Sequence, residues 1–493
     1  MTPRNILLWE KMGKLFLFLT LFLFLSNNTY GREPTKCHQL AHAERWVEAF
    51  QECTIAAKNG NLEAKYVLSN FYSDTHQEFS PVCANHTKSF KLLTTAAEQG
   101  YPEAKIDVAY EILSSKSTPE LIKLAEDFLN EAEQEFLRLE KEGDWRAMKI
   151  LNTLYSVEIF KKTDKKLASR YETRYESALH RAGVDGDASS QFRLGVSYFT
   201  VWGKLFRRNP KESFYWFKKS AEQGNLAAMR SIATYHYKPE ELLGLSNEEV
   251  IDLRKKYLFD AANNGGIESA YEIGRAYSFG MRVDELGLKK NIESAKKWYL
   301  KAAEAGHKEG AYELAQLWAD DKEKKVAFKW YFKAAKACHL ASQMKVAEYL
   351  LDDDFIFNDK AKGMEWLWLI AAIGYEHGKK SLIYRIATDV YATARYKLGR
   401  AYELGDWVAK DYVKAYWAYN LTTSLSTDLT KDRSSKTLRE LAKIRRDQLE
   451  KKMTPDQIAE AQKLTTDWKP NWEQLYAGVM EDYPPGYPLW KIK

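Results

Sequence analysis

Two serine–lysine pairs have the spacing that a nucleophilic serine needs from a basic partner. Ser294 precedes Lys297 and Ser342 precedes Lys345, each in the pattern S-x-x-K. On a helix this spacing places the lysine amine about one turn from the hydroxyl, where it can accept the serine proton. Both pairs lie on predicted repeat helices, in which serine and lysine three residues apart are common by composition. We therefore predict no catalytic residue and no cofactor.

Histidine and cysteine are the other candidates for chemistry. His307 and His339 follow positions at which predicted helices end, so helix capping or surface exposure explains them. The sequence has neither a CxxC pair nor a cysteine–histidine cluster with metal-ligand spacing, so we predict no metal site. It also lacks HExxH, GxSxG, a P-loop and a glycine-rich dinucleotide motif. These absences favour a binding protein over an enzyme.

The elements that carry these residues recur along the chain. KKWYLKAAEAGHKEGAYELAQLW, residues 296–318, returns in altered form as YWFKKSAEQGNLAAMRSIATYH from Tyr215 and as KLLTTAAEQGYPEAKIDVAYEI from Lys91. Such self-similarity at a period of about 40 residues indicates a repeat architecture. The residue that ends each AAExG-like stretch recurs at intervals of 32 to 43 residues, at Gly60, Gly100, Gly143, Gly186, Gly224, Gly265, Gly306, Cys338 and Gly374.

The spacing within each repeat predicts two antiparallel helices joined by a tight turn. After the turn residue, small residues follow at four, aliphatic residues at eight and aromatic residues at twelve, as in Ala228, Ile232 and Tyr277. These positions share one helix face, and glycine suits the positive φ of a helix C-terminus. One helix pair cannot bury both of its faces, so the pairs must stack. The predicted fold class is therefore all-α, an α/α superhelical solenoid, with Trp298 and Trp330 in the core between helices.

The repeats resemble Sel1-like repeats, which are tetratricopeptide-like. The shared pattern is A-x-x-W-Y/F-x-K/R-A-A-E-x-G-x-x-x-A-x-Y/F-x-L-G-x-x-Y, and residues 271–306 carry nearly every element of it. The resemblance spans roughly Ala43 to Ser424, and it assigns about nine or ten repeats to residues 32–424. It is weaker over residues 110–182 and 375–393. The Cys338 substitution at a glycine position costs turn geometry there.

The resemblance implies a function as well as a fold. Related proteins are commonly bacterial, and they act as periplasmic or secreted adaptors. We therefore expect an exported scaffold that binds a protein or peptide partner on the concave face of the solenoid. One alternative is a protein that binds or hydrolyses β-lactams, but such relatives carry a regular pair of cysteines per repeat, which this chain lacks. Another is an envelope protein that binds peptidoglycan or polysaccharide through exposed aromatic residues.

The two ends of the chain differ from the repeats. Residues 1–31 contain two lysines and then the apolar run Leu15–Leu25, which is too short to span a bilayer but is typical of a signal peptide. Cleavage after Gly31 would leave no stable membrane insertion. Residues 425–493 predict capping helices, one of which starts at Thr454, followed by an aromatic and proline-rich tail. The net charge of +6 is too small to indicate nucleic acid or an anionic membrane as partner.

Four cysteines would enter an oxidising compartment. Cys37 lies 23 residues before Gly60, and Cys83 lies 17 residues before Gly100, so stacking places both near the same edge. Cys53 would be displaced from Cys83 by roughly 15 Å, whereas a disulfide spans at most about 7 Å between Cα atoms. The predicted disulfide is therefore Cys37–Cys83, with Cys53 and Cys338 free. The alternative is that the segment before Ala43, which has no repeat pattern, folds back and brings Cys37 beside Cys53.

Signal-peptide cleavage gives the first testable prediction. Edman sequencing of the mature protein should begin near Arg32, because the small residues Thr29 and Gly31 occupy the −3 and −1 positions that signal peptidase reads. Recovery of a membrane-bound chain that still begins at Met1 or Met12 would contradict this prediction.

Overall fold

The computed structural model contains only helices, turns and irregular segments in the part of the chain that it describes, which confirms the all-α prediction. The predicted signal peptide and the predicted aromatic tail lie outside that part. The structure describes residues 35–42, 45–73, 80–83, 85–115, 117–160, 162–199, 208–234, 245–280, 286, 288–320, 322–376, 383–424 and 433–467. Among these residues, no helix combines the length and apolar character needed to cross a bilayer.

The chain forms two compact units, residues 1–310 and 311–493. The first unit contains helices α1 (Lys36–His42), α2 (Trp46–Lys58), α3 (Leu62–Phe71), α4 (His86–Glu98), α5 (Pro102–Ser114), α6 (Pro119–Lys141), α7 (Trp145–Ser156), α8 (Lys165–Val184), α9 (Ala188–Phe199), α10 (Pro210–Glu222), α11 (Leu226–Thr234), α12 (Asn247–Asn263), α13 (Ile267–Phe279) and α14 (Ile292–Glu304). Helix α15 (Lys308–Asp320) contains the boundary. The second unit continues with α16 (Lys324–Lys336), α17 (Leu340–Leu351), α18 (Lys360–Glu376), α19 (Ile383–Leu404), α20 (Tyr412–Thr423), α21 (Arg433–Glu450) and α22 (Pro455–Asp467).

The turn between the two helices of a repeat is built by backbone hydrogen bonds. At the end of α14 the Gly306 N–H donates to the Ala303 carbonyl at 3.1 Å, and the His307 N–H donates to the Ala302 carbonyl at 3.0 Å. This Schellman arrangement requires a left-handed residue, and Gly306 has φ of 99°. The same conformation is found, as the sequence predicted, at Gly60, Gly100, Gly143, Gly186, Gly224 and Gly265.

Two of the predicted turn positions differ from the glycine pattern. Cys338 adopts φ of 61° and makes the same turn without glycine, a conformation that is unfavourable for a residue with a Cβ atom. Gly374 does not end a helix, because α18 continues to Glu376. The prediction of a turn at Gly374 is therefore wrong.

Adjacent repeats meet where an aromatic ring lies on a helix glycine. A Cβ atom added to Gly274 in α13 would lie 2.5 Å from Cδ1 of Tyr299, a fully buried ring on the first helix of the next repeat. Gly195 has the same relation to Phe217 in the first unit. The L-G-x-x-Y pattern therefore requires glycine because any side chain at this position would clash with the ring of the next repeat.

The disulfide prediction for the N-terminal end is wrong. The structure joins Cys37 to Cys53, with 4.9 Å between their Cα atoms, and not to Cys83. Helix α1 folds back against α2, and the His38 side chain lies 2.5 Å from Glu63. Cys53 is therefore not free, and none of the described cysteines is free, which also overturns that prediction for Cys338. The segment before Ala43 does not follow the repeat register. The position of Cys37 inferred from that register was therefore wrong.

The C-terminal helices close the second unit with charged residues. As the sequence predicted, a helix starts after Thr454, whose hydroxyl accepts from the Gln457 N–H while Gln457 Oε1 accepts from the Thr454 N–H. Helix α21 contacts the last repeat through a hydrogen bond of 2.7 Å between Tyr416 and Glu450.

The ring-on-glycine contact predicts a specific mutational effect. Gly274→Ala should lower stability by about 1–3 kcal/mol, because the new methyl group forces the Tyr299 ring out of its position. Urea unfolding of the full chain measures this change.

The double variant Gly274→Ala/Tyr299→Leu provides the control. In it the alanine should cost less than in the wild-type background, because the ring that it displaces is gone. Equal costs in both backgrounds would show that the contact does not control this interface.

Candidate interaction surface

The two serine–lysine pairs occupy structural positions. Ser294 is the third residue of α14, and its N–H donates to Asn291 Oδ1 at 2.9 Å. Ser342 is fully buried, and its hydroxyl contacts His339 Nδ1 at 2.9 Å. Lys345 pairs with Glu348 at 3.2 Å. The buried Ser342 hydroxyl is out of reach of a substrate, and the backbone of Ser294 belongs to a helix cap.

The two histidines cap second helices, which is one of the two explanations that the sequence left open. His307 Nδ1 accepts from the Gly310 N–H at 2.9 Å, so Nε2 carries the proton and donates to Glu268 at 3.1 Å. The ring stacks on Tyr271, with 4.3 Å between centroids. The pKa of Glu268 lies below its ordinary value: burial raises it, but the hydrogen bond from His307 and the charges of Arg230 and Arg275 lower it by more, so the carboxyl stays ionised. His339 caps α17 in the same way, by accepting from the Ser342 N–H.

A buried acidic cluster lies between α3 and α5. The Tyr66 hydroxyl donates to Asp107 Oδ2 at 3.1 Å, and Glu103 is buried on the same helix as Asp107. Burial raises the pKa of Glu103 to about 8 and that of Asp107 to about 7. At neutral pH the Glu103 carboxyl is therefore mainly protonated, because burial disfavours its charged form and the nearby charges of Asp107, Glu63 and Asp144 act in the same direction. Among the described residues, no group of histidine, cysteine and carboxylate side chains is placed to hold a metal ion.

The surface best suited to binding is an exposed face of three first helices. Counted back from the turn glycine, positions −9 and −5 lie one helical turn apart on the same face. We call the six residues at these positions in α10, α12 and α14 the basic stripe. They are all exposed or half-buried: Tyr215, Lys219, Lys256, Asp260, Lys297 and Lys301.

Core contacts hold these three helices side by side. Phe217 of α10 and Tyr257 of α12 belong to one hydrophobic cluster. Phe259 of α12 meets Trp298 of α14 edge to face, with 5.4 Å between ring centroids. Because the three helices are connected in this way and share one register, we expect their stripe residues to lie on the same side of the first unit.

The lysines of the basic stripe form no ion pair with a described carboxylate. Among the described residues, no carboxylate forms an ion pair with Lys219, Lys256, Lys297 or Lys301. Lys301 Nζ lies 5.2 Å from the centre of the Trp298 ring, and Lys219 lies 5.9 Å from that of Tyr215. Partial burial lowers the pKa of Lys301, and the charge of Lys297 lowers it further. The stripe is a positive surface with aromatic residues at its base.

Sequence reasoning placed the aromatic residues but missed this surface. Trp330 is buried, as predicted, and Trp298 is half-buried beneath the basic stripe. The lysines were readable at fixed distances before Gly224, Gly265 and Gly306. The sequence does not show that they lack a carboxylate partner, because this depends on the positions of residues on neighbouring helices.

Comparison with known proteins identifies the repeats. The Sel1 repeat family model matches residues 80–101, 188–225, 267–307, 309–337, 340–375 and 392–417, which are six repeats. No curated protein matches the chain.

Two solved structures that match the chain are distant from it in sequence and have TM-scores below 0.5. A protective antigen of uropathogenic Escherichia coli with an SLR fold shares 19% identity over 97% of this chain and 95% of its own, with a TM-score of 0.41. A Sel1 repeat protein from Oxalobacter formigenes shares 20% identity over 71% of this chain and 89% of its own, with a TM-score of 0.39. At these values the likenesses carry no argument about activity.

The buried carboxyl of Glu103 predicts a pH-dependent stability. The folded chain keeps this proton up to a pKa of about 8, whereas an unfolded glutamate releases it near 4.5, so stability falls as pH rises between these values. Glu103→Gln should therefore show a shallower loss of melting temperature between about pH 5 and about pH 9. It should exceed the wild type in stability at the alkaline end.

Glu98→Gln, at an exposed position of the preceding helix, is the matched control and should follow the wild-type profile. Parallel melting profiles for wild type and Glu103→Gln would contradict the assignment of a neutral buried carboxyl.

Proposed function

We propose that this chain, a Sel1 repeat protein, is an interaction scaffold that binds a segment of a partner protein on the exposed face of its first helices. Sel1 repeat proteins commonly mediate protein–protein interaction. In the proposed arrangement this face lines the concave side of the superhelix. The observation that carries the proposal is the basic stripe, whose lysines have no ion-pair partner among the described residues.

We further propose that the scaffold acts outside the cytoplasm, in the envelope or after secretion. The pattern of residues 1–31 is that of a signal peptide. The Cys37–Cys53 disulfide supports the same location, because such bonds persist in oxidising compartments.

The fold gives less support to the alternatives. A saccharide-binding protein needs exposed aromatic faces; Trp216, Trp330 and Trp417 are buried, and the aromatic rings that are half exposed include Tyr215 and Phe279. A β-lactam-reactive protein needs a solvent-accessible serine beside a base; of the two S-x-x-K serines, Ser342 has none of its surface exposed and Ser294 is half-buried. These observations favour the scaffold.

Site-specific photo-crosslinking in intact cells tests the proposal. A benzophenone amino acid at Tyr215 should yield a discrete adduct with one partner protein, because this side chain lies in the basic stripe. Phe279, at the end of α13, is the matched control position. Both side chains are aromatic and 49% exposed, so size and accessibility are equal.

The same adduct from Phe279, or none from either position, would contradict binding on the first-helix face. Adducts that resist protease but are removed by glycan-degrading enzymes would favour the saccharide-binding alternative.

A further inference from the structure

We infer that the segment bound at the basic stripe is a short acidic peptide in an extended conformation, lying across α10, α12 and α14. This inference rests on the proposed function and adds the chemistry of the partner. It can be tested separately from the proposed function, because it specifies the charge of the ligand and the residues that bind it.

Some lysines of the first unit form ion pairs within the protein, whereas those of the basic stripe do not. Lys296 pairs with Glu293 at 3.0 Å, and Lys162 pairs with Glu133 at 2.5 Å. The stripe residues Lys219, Lys256 and Lys297 have no such carboxylate among the described residues. Several like charges held on one face repel each other, so an anionic ligand that relieves this repulsion gains binding energy.

Aromatic rings between the lysines favour a peptide over a simple polyanion. Tyr215 is half exposed and meets Trp216 at 5.0 Å, and the half-buried Trp298 lies beside Lys301. Such rings offer apolar contact to side chains that alternate with acidic residues. An extended strand places successive side chains on opposite sides, so every second residue can meet the stripe.

The geometry also limits the length of the ligand. Packed helices lie about 8–10 Å apart, so three helices span roughly 20 Å. An extended peptide advances about 3.3 Å per residue, and about six residues therefore cover the stripe.

Acidic residues on and beside the basic stripe argue against nucleic acid. Asp260 lies within it, and Glu222 and Glu304 each lie two residues before a turn glycine on the neighbouring row. A continuous phosphate backbone would meet these carboxylates, whereas a peptide can place a neutral or basic residue opposite each of them.

Fluorescence anisotropy with the full-length mature chain tests the inference. The probe is a fluorescein-labelled peptide with glutamates on either side of a central tyrosine. We expect Lys219→Glu/Lys256→Glu/Lys297→Glu to weaken binding by more than about tenfold, since each reversed charge replaces attraction by repulsion. Asp260→Lys should tighten binding severalfold, a gain that a folding defect cannot produce.

The matched control is Lys123→Glu/Lys141→Glu/Lys165→Glu. It changes the net charge equally at exposed positions of α6 and α8, outside the basic stripe. It should bind as the wild type does, apart from a small loss that added salt removes.

Three outcomes would overturn the inference. The first is equal weakening by both triple variants, and the second is no tightening by Asp260→Lys. The third is stronger binding of a single-stranded oligonucleotide than of the peptide. If Tyr215 still crosslinks to a partner in any of these cases, the scaffold proposal stands and only the inferred acidic chemistry of the ligand fails. If the peptide binds as expected but Tyr215 yields no adduct in cells, the inferred acidic chemistry stands and the scaffold proposal fails.

Discussion

The contact on which the rest of the structure depends is an aromatic ring seated on a glycine of the preceding repeat. Phe217 on Gly195 and Tyr299 on Gly274 bring the second helix of one repeat and the first helix of the next into direct contact. Since each of these rings packs against a single glycine of the preceding helix, the contact fixes the register of each repeat relative to its neighbour. A fixed register is what turns residues about forty positions apart in sequence into neighbours on one surface.

Several second helices hold carboxyl groups in or near the core. Glu103 and Asp107 are buried on α5, and Glu268 of α13 is half-buried beside His307. Burial disfavours the charged form of a carboxyl group. Glu103 is therefore mainly protonated, whereas Glu268 stays ionised beside its histidine partner. Buried polar groups of this kind distinguish one repeat interface from another, so we expect them to help specify the order in which otherwise similar repeats stack.

The parts of this structure that could be predicted from sequence are those that repeat along the chain. The turn glycines, the buried Trp330 and the helix caps at His307 and His339 all repeat, so one copy predicts the others. Gly374 and the segment around Cys37 lie where the period fails, and there the predictions were wrong. The basic stripe was visible in the register but was not predicted, because knowing which lysines lack a carboxylate requires the positions of residues on neighbouring helices.

The N-terminal disulfide has a consequence for the packing of the first described repeat. Helix α2 of this repeat packs against α3 and also lies beside the turn after α14, where a Cβ atom added to Gly306 would clash with Cγ2 of Val47. The bond between Cys37 and Cys53 ties α1 to α2 at this point and covers apolar residues such as Ala49 and Leu68. Reduction of this bond would remove the covalent link between α1 and α2, so the cover over these apolar residues would depend on packing alone. The stability of this end of the first unit is therefore expected to be lower in a reducing compartment than in an oxidising one.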